Sequence, residues 1–165
     1  MNISEHIILF QVDDLRFALP IEAVERISRI VEITPLPKAP KVVIGVIDVQ
    51  GRVIPVVDIR KRFNLTERKM RLTDHIVICN TSKRTVAILV DSVSDIVETD
   101  QQNRIAREEI LSEMEYLKGV VRTQDGILLV QDLEKLLSFE EEKELERAVE
   151  QASSKREKGR RKGKS

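Results

Sequence analysis

The 165-residue chain reads as an all-β protein built from two copies of one small unit, on three observations. It holds 19 Val and 18 Ile against five aromatics (Phe10, Phe17, Phe63, Tyr116 and Phe139). Such β-branched side chains favour pleated, half-buried backbone over a helical bundle. Apolar runs of strand length recur between turn residues, and two long stretches repeat later in the chain at constant offsets.

The runs follow in order. Residues 6–12 and 16–19 flank Asp13-Asp14, and residues 24–33 lead to a proline-bearing segment at 35–40. Residues 42–49 and 52–57 are joined by Gln50-Gly51, a two-residue connection of hairpin type. Residues 75–80 and 85–90 flank a polar turn at 81–84. Residues 96–98, 117–121 and 127–130 complete the set, the last two joined by Gln124-Asp125-Gly126. Strands this short and closely spaced predict barrels or a sandwich, since closure removes exposed edges. Short helices are expected at 58–64, 106–113 and 132–137. Asp58 and Asp132 open the first and last of these and can cap free backbone N–H groups.

Residues 6–27 lie over 75–96 at an offset of 69 without a gap, with His6/His75, Ile7/Ile76, Ala18/Ala87, Val24/Val93 and Ile27/Ile96 identical. Residues 45–63 lie over 119–137 at an offset of 74, where Gly45/Gly119, Val46/Val120, Gln50/Gln124, Val56/Val130, Asp58/Asp132 and Lys61/Lys135 are identical. Valines and isoleucines can match by chance in this composition, but glycine, glutamine, aspartate and lysine identities in ungapped register are not a hydrophobic pattern. Two barrels too small to bury enough surface alone can share an apolar seam and act as one domain. The folded domain is therefore expected over residues 1–138, followed by a charged helix at 139–152 and a disordered basic tail at 153–165.

The formal net charge is zero, from 28 Lys+Arg and 28 Asp+Glu, but it is unevenly spread. Residues 151–165 hold seven cations against Glu157, a charge of +6, which leaves 21 cations against 27 anions, −6, in residues 1–150. With no interleaved aromatic to stack on bases and no apolar face to insert, the tail reads as a solvated extension. Neither a nucleic-acid partner nor direct membrane insertion is expected. Residues 139–150 hold six Glu and show little amphipathicity, so this helix would be marginal in isolation.

No catalytic chemistry is legible. His6 and His75 occupy equivalent positions in the two copies, as a duplicated structural position does, and neither has a nearby cysteine or local motif. An enzyme would need one of them to converge with Asp91 or Asp132 in a pocket. The carboxylates Asp58, Asp91 and Asp132 each end a strand where a turn or helix begins, and capping explains them better than acid–base work. Cys79, the single cysteine, lies in an apolar run and excludes a disulfide framework. The triplets beginning at Asn64 and Asn80 are taken as turn residues. The tail sequence Gly159-Arg160-Arg161-Lys162-Gly163-Lys164-Ser165 has one residue too few between its glycines for a phosphate loop. No metal and no cofactor is expected. No apolar run approaches the roughly 18 residues that span a bilayer, and a cytoplasmic protein is expected. A duplicated β domain without site chemistry reads as a protein-binding module.

The segments Leu36-Pro37, Pro40, Gly45-Val46-Ile47-Asp48-Val49-Gln50-Gly51-Arg52-Val53-Ile54-Pro55-Val56-Val57-Asp58-Ile59-Arg60 and Thr85-Val86-Ala87-Ile88-Leu89-Val90-Asp91-Ser92-Val93-Ser94-Asp95-Ile96 together resemble the CheW family of chemotaxis coupling proteins. The likeness extends from about residue 6 to 137. It implies two intertwined, five-stranded, SH3-like β-barrel subdomains, in agreement with the duplication. It also implies a non-enzymatic adaptor that joins the cytoplasmic tips of chemoreceptors to the regulatory domain of a CheA-type histidine kinase, in rings that hold a receptor array together. The receptor-binding positions carried over by the resemblance are Val24, Arg26, Gly45, Asp48, Gln50, Gly51 and Ile96; Pro37, Pro40, Pro55, Asp58, Arg60 and Asp91 belong to its structural motifs. Where the family commonly has N-x-R-G, this chain has Asp48 and Gln50. That loses a donating amide and a planar five-donor cation. The alternative implied is a specialised paralogue that binds the kinase, or an atypical receptor, in another sensory pathway. The turn residues Gly45 and Gly51, and Pro37, Pro40 and Pro55 as limits of strand edges, have a purely structural reading as well.

Overall fold

Residues 76–79 and 86–90 are apolar without alternation because their strands bury both faces. A computed structural model describes residues 4–100, 104–106, 116–124 and 126–162. In it β6 (His75–Asn80) and β7 (Thr85–Val90) direct Ile76, Ile78, Ala87 and Leu89 into one cluster, and Val77, Cys79, Val86, Ile88 and Val90 into another. The hairpin of β1 (Ser4–Val12) and β2 (Leu15–Pro20) does the same, with Ile7, Leu9 and Ala18 on one side and Phe10, Val12, Phe17 and Leu19 on the other. Strands buried on both faces read as continuous apolar runs.

The remaining strands are β3 (Val24–Arg29), β4 (Val43–Val49), β5 (Arg52–Asp58), β8 (Ser92–Asp100), β9 (Arg104–Ala106), β10 (Leu117–Thr123) and β11 (Gly126–Gln131). They form a six-stranded sheet in the order β8-β1-β2-β11-β10-β9 and a five-stranded sheet in the order β3-β6-β7-β5-β4. Apart from β9, the two orders are the same once the copies are interchanged, because each copy lends its first hairpin to the other's sheet. The parallel joins obey the duplication residue by residue: Ala18 pairs with Val130, and Ala87 with Val56. The protein is thus all-β and intertwined, and the large shared cluster between the sheets is the predicted seam. A string of aromatics runs through that seam, with ring centroids 5.5 Å apart for Phe10 and Phe17, 5.1 Å for Phe17 and Phe63, and 5.9 Å for Phe63 and Tyr116. Cys79 is buried there, and burial pushes its thiol up to about 12, so it acts as a small apolar side chain.

Several expectations change. The third run stops as a strand at Arg29 rather than at 33. Beyond it Thr34 exchanges both backbone hydrogen bonds with Val46, at 2.9 and 2.8 Å. The chain leaving one edge of the five-stranded sheet therefore reaches the other edge. Gly45 permits this approach: a Cβ there would collide with the Thr34 carbonyl oxygen and lie 2.8 Å from Ile33 Cγ2. Pro55 is not an edge residue. It is buried in β5, between β4 and β7, one position before the parallel ladder to β7 begins at Val56.

Of the predicted short helices, 58–64 appears as α1 (Ile59–Arg62) and 132–137 as a 3-10 turn at Leu133–Lys135. Asp58 and Asp132 cap them as expected, accepting from the N–H groups of Arg60 at 2.9 Å and Glu134 at 3.1 Å. At 106–113, Ala106 ends strand β9 opposite Gly119, and residues 107–113 lie outside the described residues.

The C-terminal helix α2 (Phe139–Lys162) runs past 152, into the segment whose composition suggests disorder. Its residues are good helix formers, and glutamates in its first turn and cations near its end both oppose the helix dipole. Leu145, Ala148 and Val149, spaced i, i+3, i+4, give a narrow apolar stripe that docks on the shared core. Ser138 and Glu141 form a reciprocal cap, with Glu141 N–H donating to Ser138 Oγ and Ser138 N–H to Glu141 Oε1. Ion pairs from Arg62 to Glu141 (2.6 Å) and Arg84 to Glu142 (2.7 Å) fasten the first turn to the body.

Candidate functional site

The β4–β5 hairpin turns on two residues, Gln50 at φ 52° and Gly51 at φ 84°. A pair of left-handed residues matches the twist of the flanking strands. A left-handed glutamine is unfavourable, and Asp48 compensates by accepting the Gly51 N–H at 2.8 Å. Asp48 and Gln50 are exposed, but one Asp48 oxygen is already committed to the turn.

Strand β3 comes up beside this hairpin. Its pairing with β6 is Val24 to Cys79 and Arg26 to Ile78, with a shift between them that leaves Glu25 as the extra residue of a bulge. The Glu25 carboxylate meets Arg52, the residue after Gly51, at 3.1 Å. Arg52 also donates to Thr85 Oγ1 at 3.0 Å, and Thr85 donates to Asn80 Oδ1 at 2.6 Å. The hydrogen bond from Arg52 holds the Glu25 carboxyl below its ordinary range. These four side chains link β3, β5, β6 and β7; only Asn80 was marked by the sequence, as a turn residue, and it instead ends strand β6. Val24, Arg26, Asp48, Gln50 and Gly51 thereby share one region. Gly45 is buried and serves the surface only through the Thr34 contact. Ile96 lies elsewhere, about half exposed on β8 at the edge of the six-stranded sheet, opposite Ile8.

Pro37 belongs to a tight turn in which Ala39 N–H donates to the Leu36 carbonyl at 3.4 Å and Lys38 takes φ 66°. Pro40 is buried, and its carbonyl accepts from Val43 at 2.9 Å.

Asp91 is not a cap. Arg60, 3% exposed, places Nη2 2.7 Å from both Asp13 Oδ1 and Asp91 Oδ2, and Arg68 Nη2 lies 2.6 Å from both Asp91 Oδ1 and Asp74 Oδ1. The Asp13 N–H also donates to Asp91 at 2.8 Å. Burial opposes ionisation of Asp91, but the Asp13 N–H and the Arg60 guanidinium outweigh it and hold the carboxyl below its ordinary value. Asp74 is likewise lowered, with Arg68 overriding the effect of burial. Asp58 goes the other way, since burial raises it more than its bond to the Arg60 N–H lowers it.

The second copy keeps the place of this contact and changes its chemistry. Glu134, equivalent to Arg60, accepts from both the N–H and the hydroxyl of Ser82, equivalent to Asp13, at 2.8 Å for the N–H. His6 and His75 stay on β1 and β6 as strand residues. Among the described residues no group of three or more His, Cys, Asp or Glu is arranged to hold a metal, and no helix is long and apolar enough to cross a membrane.

The surface is thus one of strand edges, a rigid turn and exposed apolar side chains. The duplication extends to the last of these: Ile27 and Ile96 are equivalent and both exposed, as are Val53 and Ile127. The family model described as CheW-like domain matches residues 6–141. A chemotaxis protein CheW of Rhizobium meliloti is 30% identical over 142 residues, 85% of this chain and 92% of that protein. One of Treponema pallidum is 27% identical over 141 residues, 82% and 83% of the two chains. The crystal structure of the scaffolding protein TtCheW from Thermoanaerobacter tengcongensis superposes with a TM-score of 0.78 at 23% identity, over 84% of this chain and 96% of that one.

Proposed function

The chain belongs to the CheW family of chemotaxis scaffolding and adaptor proteins, and on that premise we propose that it couples the cytoplasmic tips of chemoreceptors to the regulatory domain of a CheA-type histidine kinase. It does so without enzymatic activity of its own, in the cytoplasm at membrane receptor arrays. The observation that carries this reading is the surface joined by Glu25 and Arg52, where Val24, Arg26, Asp48, Gln50 and Gly51 meet. A rigid turn beside an edge strand suits recognition of a helical tip, because little conformational freedom is lost on binding. Ile96, on the other sheet, is an exposed apolar contact for the same or a second partner.

Co-sedimentation of the purified chain with a cognate receptor signalling fragment and a kinase regulatory domain tests the proposal. Retention of both is the expected result; failure to retain either overturns the coupling role.

A second reading, a paralogue that serves the kinase or an atypical receptor in another sensory pathway, is favoured by Asp48 and Gln50. Asp48 spends an oxygen on its own turn, and Gln50 offers no planar cation. On this reading Asp48→Asn with Gln50→Arg strengthens binding to a standard receptor fragment, and unchanged affinity counts against it.

A further inference from the structure

Helix α2 encloses a cleft of about 120 Å³ with the loop after β3 and the outer face of β4 and β5. Leu36 and Pro37 line it from the loop, Val46 and Val53 from the sheet, and Val149 and Ala152 from the helix. Its wall is mainly apolar, with Thr34 and Ser153 as the polar side chains, and Val53 is 47% exposed within the folded chain. Two features flank it. Val46 and Val53 stand two residues from Asp48 and Gly51, so the cleft continues into the proposed receptor surface. Ser153, at its helical rim, precedes by two residues a run from Lys155 to Lys162 that holds six cations and one anion on the same helix.

We propose that this cleft receives one branched apolar side chain of an acidic, helical segment of the receptor tip, whose carboxylates then lie along the cationic end of α2. The inference rests on the receptor reading above and adds a second, C-terminal half to that surface. Charge complementarity selects the occupant. At a rise of 1.5 Å per residue, Lys155 stands about 9 Å along α2 from Val149, so a segment seated between Val53 and Val149 and continuing along α2 meets the cationic run within about two helical turns. A side chain seated in a desolvated pocket supplies binding energy, and complementary charge beside it fixes register and speeds association.

The test uses the full chain titrated against a purified receptor signalling fragment at low and at physiological salt, with kinase regulatory domain and anionic vesicles as parallel probes. Val53→Glu is expected to weaken receptor binding by roughly tenfold or more. A triple reversal, Lys155→Glu with Arg156→Glu and Lys158→Glu, is expected to weaken it at low salt and flatten its salt dependence. Kinase binding and the thermal melt serve as folding controls, and Ala152→Glu repeats the cleft test should Val53→Glu melt early. If the unaltered chain binds no receptor, the coupling reading falls and this inference with it. If it binds and these variants bind equally well, the inference alone falls. A triple variant that loses vesicles but keeps the receptor assigns the cations to a membrane and overturns the proposal.

Discussion

Arg60 Nη2 lies 2.7 Å from Asp91 Oδ2, so the two motif stretches of the sequence, residues 45–60 and 85–96, are joined beyond their strand ladder by an ion pair whose cation is buried and whose carboxylate is partly exposed. Asp91 is shared with Arg68, and Arg60 with Asp13, so the pair is the centre of a five-membered network that ties α1 to both exchanged hairpins. That arrangement dictates what its removal does.

Arg60→Ala strands Asp13 and Asp91 without their common cation. Arg60 is buried but its partners are partly exposed and Asp91 keeps Arg68, so the cost is about 1–3 kcal/mol, and the loss is read from urea denaturation. In a double-mutant cycle with Asp91→Ala, a coupling energy of about 1–3 kcal/mol is expected; additive losses would show that the two side chains do not act together.

The same network sets an acid limit. Asp91 and Asp74 titrate below their ordinary value of 3.8 in the folded chain, so each binds its proton more readily when unfolded. Their contribution is fully present above that value and is lost as pH falls through the lower folded one. Urea midpoints should hold between pH 7 and 5 and fall steeply below about 4. Asp91→Asn should lower the midpoint at neutral pH and flatten the acid limb.

Leu145 is fully buried at the start of the stripe that docks α2. Leu145→Ala should cost about 3 kcal/mol and speed hydrogen exchange along the helix, with the sheets less affected. Uniform acceleration across the protein would mean that α2 has no independent docking equilibrium.

Two glycines one hairpin apart should respond differently to alanine. Gly51 has φ 84° and open space around it, so Gly51→Ala should cost about 1 kcal/mol of backbone strain. Gly45→Ala drives a methyl into the Thr34 carbonyl and should cost about 1–3 kcal/mol. It should also lose the slow exchange of the Val46 amide that Thr34 accepts, while Gly51→Ala keeps it.

How legible this was depends on how local the cause is. The repeat read over 45–63 and 119–137 has an offset of 74 that also relates β4 (43–49) to β10 (117–123), two residues before its start, and Asp58 and Asp132 cap where expected. Asp91 was misjudged because its partners lie at 13, 60 and 68, with no spacing that signals proximity. Glu25 and Arg52 were missed for the same reason: a bulge in β3 aims one at the other across 27 positions. The Ser138-x-x-Glu141 signature was readable as a helix start, whereas Arg62 as the second partner of Glu141 was not. The third strand reads too long because Ile30 and Ile33 are apolar side chains that serve the second cluster rather than a ladder.

The exchange of hairpins has a consequence for synthesis. The parallel join between Phe17–Ala18 and Leu129–Val130 spans more than a hundred positions, so β2 emerges from the ribosome with one flank unpaired. At about 5–20 residues per second the delay before β11 exists is about 5–20 seconds. During that interval the free flank of β2, with the apolar Phe17, Ala18 and Leu19, is an edge open to another nascent copy. Neither half can reach its native sheet as a separate fragment, and mixing the two halves should restore what each lacks.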